Sequence, residues 1–101
     1  MPHADARVPL INPTAEEAFW RTHFRDEAFY RDGLAFDDYS PAFRVGYTGP
    51  VRREGRLEEL DARLRDDWAM VRGRSRLSWG EAWAAIEAAW HHAVGEELAA
   101  A

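Results

Sequence analysis

A chain of 101 residues has room for one domain, and its 47% apolar and 13% aromatic content is too rich for a disordered polymer. A net charge of −5 argues against nucleic acid or an anionic membrane surface as partner, and the absence of cysteine removes disulfides, thiolate metal sites and cysteine nucleophiles. No stretch approaches the roughly twenty apolar residues that span a bilayer, and Met1–Pro13 lacks the apolar run of a signal peptide, so a cytoplasmic protein is expected.

Residues 1–13 carry Pro2, Pro9 and Pro13 without any period and read as a flexible tail. The domain is expected over 14–95. Thr14 with Glu17 has the spacing of a capping box and opens a first short helix, with Phe19 and His23 on one side and Trp20 and Phe24 on another. Asp32-Gly33 is a turn signal that stops any helix there, and Leu34–Tyr39 reads as an irregular connection. Ser40-Pro41 has the form of an N-cap followed by proline at the first helical position. Gly49-Pro50 disfavours helix, so the spacing predicts a second short helix ending near Thr48.

From Arg56 the pattern is cleaner. Leu57, Leu60, Leu64, Trp68 and Val71 form one stripe at helical spacing, with Glu59/Arg63 and Asp61/Arg65 opposite as acid-before-base pairs. Gly73 stands where a helix-closing glycine belongs. After the loop Gly73–Leu77, Ser78 and Glu81 make a second capping box and open the most regular segment of the chain. At about 100° per residue, Trp79, Trp83, Ile86, Trp90 and Val94 share one face. Ala82, Ala85, Ala89 and Ala93 line a second face, and Glu81, Glu87, His91 and His92 a third. The large stripe is expected to anchor the core against the Leu57–Val71 stripe. The alanine stripe lets another backbone come close, within the chain or from a second copy. Residues 96–101 are expected to fray.

The candidate metal or acid–base residues are Glu87 and His91, one turn apart, with His92 and with His23 of the first helix. No nucleophile–base arrangement and no glycine-rich phosphate loop accompanies them, and no cofactor is implied. Ser40 and Ser78 have cap positions, and the acidic pairs Glu16-Glu17, Asp26-Glu27 and Asp37-Asp38 read as helix-start charges and surface ion pairs. Two arginine clusters, Arg52-Arg53-Arg56 and Arg72-Arg74-Arg76, flank the same helix at opposite ends, which does not make one continuous basic patch. All thirteen strong bases are Arg and Ala is abundant, the mark of a GC-rich bacterial genome. The surplus of aromatics (Trp20, Phe24, Phe29, Tyr30, Tyr39, Phe43 and Tyr47) either completes one core or leaves part of itself as a partner surface.

The sequence of Phe19-Trp20, Phe29-Tyr30, Asp38-Tyr39, Pro41-Ala42-Phe43-Arg44 with Gly46, Leu64-Arg65 with Asp67-Trp68, Arg76-Leu77-Ser78-Trp79 and Ala89-Trp90 resembles a group of small, uncharacterised bacterial proteins linked to general stress responses. The resemblance runs from Thr14 to His92 and implies a shared fold; it brings no activity, cofactor or site residue with it.

The expected fold is all-α: a bundle of about four helices, two short N-terminal ones packed on a C-terminal antiparallel helical hairpin. The expected function is a non-enzymatic, stress-related interaction module, self-associating as a homodimer or binding a protein partner, with Ala82, Ala85, Ala89, Ala93 and Trp20 as the interaction surface. The alternatives are a small metal- or ligand-binding protein using the His/Glu set and, behind it, a nucleic-acid binder using the arginine loops.

Overall fold

The computed structural model describes the backbone of residues 10–100 and the side chains of residues 10–95. The chain is a small all-α bundle: α1 Pro13–His23, α2 Phe36–Arg52, α3 Asp61–Val71 and α4 Trp79–Ala100, with 3₁₀ turns at Phe24–Asp26 and Leu57–Glu59. No strand occurs among the described residues. Of the tail expected over 1–13, residues 1–9 lie outside the described residues, and Ile11 already packs on the core. At the other end the backbone of α4 continues through Gly95 to Ala100; the side chains of 96–100, and all of Ala101, lie outside the described residues.

Helix α1 is capped by Asn12 rather than Thr14. The Asn12 Oδ1 accepts the N–H groups of Thr14 at 3.0 Å and Ala15 at 3.2 Å, and Pro13 fills the first helical position, where its missing N–H leaves nothing unmade.

Helix α2 departs most from expectation. Its 17 residues begin before Ser40 and run beyond Thr48, with Pro41 and Pro50 inside. An interior proline costs about 3 kcal/mol. Helix is nevertheless retained because Tyr39, Ala42, Phe43, Gly46 and Gly49, spaced 3, 1, 3 and 3 apart, are all buried and would leave the core if the helix broke. Asp38 begins it by accepting the Ala35 N–H on Oδ2 at 3.0 Å, and Arg53 N–H closes it on the Gly49 carbonyl at 2.8 Å.

Leu57, Leu60, Leu64 and Trp68 are buried as their stripe predicts, with the first turn wound as 3₁₀. Val71 is exposed, being the last residue before the turn that Gly73 closes with φ +54°. The Ser78–Glu81 box is present in both directions, Glu81 N–H to Ser78 Oγ at 3.2 Å and Ser78 N–H to Glu81 Oε1 at 2.9 Å.

The principal packing partner of α4 is α2, not α3, and α1 and α3 also pack on α2. The reason is the size of the facing residues. A Cβ added at Gly46 would stand 2.5 Å from the Ile86 carbonyl oxygen and 2.7 Å from Ala89 Cβ; one at Gly49 would stand 2.5 Å from the Trp90 ring. Gly46 therefore lets α2 lie directly on α4 at Ile86 and Ala89, Gly49 makes room for the Trp90 ring, and Ala82, Ala85 and Ala89 are 0% exposed. Leu64 of α3 reaches the same seam beside Gly49.

Aromatics from α1, the following loop and α2 fill the space beyond this seam. Trp20 stacks on Phe43 at 4.5 Å, and Phe24 meets Phe36, Tyr39 and Tyr30 at 5.5–5.6 Å. The buried Tyr39 hydroxyl accepts the Arg31 N–H at 2.9 Å and donates to the Phe29 carbonyl at 3.3 Å, holding the loop after α1 onto α2. Burial pushes the Tyr39 hydroxyl above its usual pKa.

A polar latch holds the α3–α4 loop to the same helix. Ser75 Oγ donates to the Asp38 carbonyl at 2.5 Å, and Arg76 meets the Asp38 carboxylate through its backbone N–H at 3.0 Å and its Nη2 at 2.8 Å. The Asp38 side chain is 8% exposed. The Arg76 guanidinium and two backbone N–H groups lower its pKa from 3.8 to about 2, more than burial raises it.

Candidate functional site

Three indoles run from the core to the surface along the α3–α4 side of the bundle. Trp68 of α3 is buried and packs on Trp79 at 5.6 Å; Trp79 packs on Trp83, one turn further along α4, at 5.6 Å. Trp79 and Trp83 remain half-buried because α4 has already spent its closest approach on α2. Their rings, tilted 47° to one another, wall an open groove of about 370 Å³. Its other lining residues are Gly80 and Glu87 of α4, Asp61 at the start of α3 and Glu58 of the preceding 3₁₀ turn.

The placement of the acids follows from local helix chemistry. Asp61 opens α3, where a carboxylate complements the helix dipole, and Glu58 sits in the first turn of its 3₁₀ segment. Glu87 stands two turns after Trp79 and one after Trp83 on the same line of α4. Gly80 leaves the groove floor without a side chain: an added Cβ there would find only Ser78 Oγ, 4.0 Å away.

The groove therefore joins two indole faces to three carboxylates. Arg56 lies 3.9 Å from Glu58, and the Arg65 guanidinium carbon lies 5.6 Å from the centre of the Trp79 ring. Neither Asp61 nor Glu87 has an ion-pair partner among the described residues. Such a surface suits a group that is cationic and has a flat or apolar face.

The residues named from the sequence are distributed elsewhere, apart from Glu87. His92 turns inward: its Nδ1 is 2.9 Å from Oε1 of the buried Glu16, and its ring stacks on Phe19 at 3.8 Å. His91 is exposed, and His23 lies 4.4 Å from Phe19 with its Nδ1 3.7 Å from Asp26. His23 and His92 thus both lie against the Phe19 ring. Among the described residues no three His, Asp or Glu side chains gather as a metal cluster.

Ala82, Ala85, Ala89, Ala93 and Trp20, expected as an interaction surface, are all buried within the chain, and α2 occupies the alanine face. The arginine loops also serve the fold. Arg53 forms a two-point pair with Asp67 at 2.6 and 3.2 Å, Arg72 covers Trp68 at 4.6 Å and donates to the Ser75 carbonyl, and Arg76 holds Asp38.

The sequence carried the groove in the line Trp79, Trp83, Glu87, whose spacing reads equally well as a core stripe. What marks it as surface is the competing alanine face: α4 has two apolar faces, and the small one wins the close neighbour. Compared with known protein families, curated proteins and solved structures, the chain matches none. No helix among the described residues is long and apolar enough to cross a membrane.

Proposed function

We propose that the protein is a non-enzymatic protein-interaction module and that the Trp79–Trp83 groove is its contact face. The observation that carries this reading is the pair of half-buried tryptophans bordering an open groove on a helix whose Ala82, Ala85, Ala89 and Ala93 are buried. Tryptophan dominates the binding energy of protein interfaces because it offers a large rigid surface at little entropic cost. A bacterial stress response is the setting that the resemblance over Thr14–His92 implies, and the cytoplasm is the proposed compartment.

Selection of random twelve-residue peptides on the wild-type protein, with Trp83→Ala as the counter-target, tests the reading. Binders are expected to lose affinity with Trp83→Ala and to shift the indole N–H signals of Trp79 and Trp83. Binders indifferent to both tryptophans, mapping to another face, overturn it.

A further inference from the structure

We propose that the groove takes an arginine-bearing segment of a partner protein, the guanidinium lying on the Trp79–Trp83 indoles and pairing with Glu87, Asp61 or Glu58. The proposal rests on the groove being the contact face and adds the chemistry of its occupant. Three features favour arginine. The lining is complementary in charge, three carboxylates beside two indole faces. The chain itself already lays a guanidinium on these rings, Arg65 on Trp79 and, one indole deeper, Arg72 on Trp68. The groove is an open trough, which admits a side chain delivered by a passing backbone.

Arginine also satisfies both halves of the lining at once. Its planar head stacks on an indole while its edge donates paired hydrogen bonds to a carboxylate. A lysine ammonium is more strongly hydrated and gains less from a half-exposed ring. The net charge of −5 adds long-range attraction for a basic segment and hastens the encounter. Arg65 is the internal competitor for Trp79, its guanidinium carbon lying 5.6 Å from the centre of that ring.

The test is a titration of the full chain with an arginine–glycine peptide of about twelve residues, alongside its lysine and glutamate analogues, at 150 mM salt. The five tryptophan indole N–H signals are followed by NMR. Expected are shifts at Trp79 and Trp83, binding weakened about five- to tenfold in Glu87→Gln, and binding tightened about two- to fivefold in Arg65→Gln, since each change touches one exposed cation contact. Trp83→Ala should abolish the response; Glu87→Gln keeps the aromatic wall intact and guards against a variant that merely fails to fold.

If the arginine peptide leaves both indoles unmoved while selected peptides without Arg or Lys shift them, the occupant is not cationic and this proposal fails while the contact face stands. If no peptide moves either indole, both readings fail. Shifts spread over the acidic surface without preference for Trp79 and Trp83 mean diffuse charge attraction and overturn the proposal. A dimer at tens of micromolar that covers both tryptophans assigns the groove to a second copy and overturns it too.

Discussion

Two faces of the same helix make the instructive contrast. The alanine face of α4 has little side-chain surface to bury, yet it is sealed, with Gly46 of α2 seated against Ala89. The Trp79–Trp83 face has far more apolar area and is left half open. Burial here was decided by how closely two backbones can approach, not by the size of the residues on offer. Once α2 lies on the alanines, Trp90 still reaches the seam at Gly49, but the first two turns of α4 turn their indoles toward α3, which touches them mainly through Trp68. A face assembled from small residues is rigid and closed; a face of large residues with an incomplete cover is where binding can occur.

Gly46→Ala attacks the closed face and should have the largest effect. The added methyl meets a backbone carbonyl that no side-chain rotation can move, so overpacking outweighs the helix propensity gained, with a net loss of about 2–3 kcal/mol and a fall in Tm of roughly 10–20 °C in thermal denaturation. An unchanged or raised Tm would mean that α2 and α4 are not in close contact there.

Asp38→Asn loosens the latch that holds the α3–α4 loop to α2. It should cost about 1–2 kcal/mol, a figure held down by the 60% exposure of the Arg76 side chain. Because the Asp38 pKa falls on folding from 3.8 to about 2, the wild type holds this contribution in full above about pH 4 and loses it as pH drops toward 2. Melting curves between pH 6 and pH 2 should show the wild type converging on Asp38→Asn at the acid end. A constant gap between the two would remove Asp38 from the acid response.

Trp83→Ala strikes the open face. With the ring half-buried, the expected loss is about 1 kcal/mol, well below the ~3–5 kcal/mol of a fully buried tryptophan such as Trp68. Chemical denaturation of both variants measures the difference, and equal losses would erase the contrast between core and groove. Smallest of all is Met70→Glu on the outer side of α3: at 86% exposure it should change stability by less than about 0.5 kcal/mol in the same assay.

Much of the fold was legible in the chain. The Leu57–Trp68 stripe, the Gly73 stop, the Ser78–Glu81 box and the all-helical class followed from period and capping chemistry, both local properties. The length of α2 was not legible, because Pro41, Gly46, Gly49 and Pro50 each oppose helix locally and only the burial of the Tyr39–Gly49 stripe restores it. Asn12 displaced Thr14 as a cap because Pro13 had already set the first helical turn. The polar residues misled for another reason. Spacing places Glu87 and His91 one turn apart on α4, but His92 finds Glu16 on α1, a partner 76 positions away in sequence.

For the helix from Leu77 to Val94, the sequence by itself determined the boundaries of its start and the composition of its faces: large, small and polar. Only the tertiary structure decided which face would be interior. That choice depended on glycines of α2, at positions where a single methyl group would stand 2.5 Å from its neighbours, and helical period carries no information about a surface so distant in the chain. The close fit of small residues took the core together with Ile86 and Trp90, and Trp79 and Trp83 were left to form the rim of a groove.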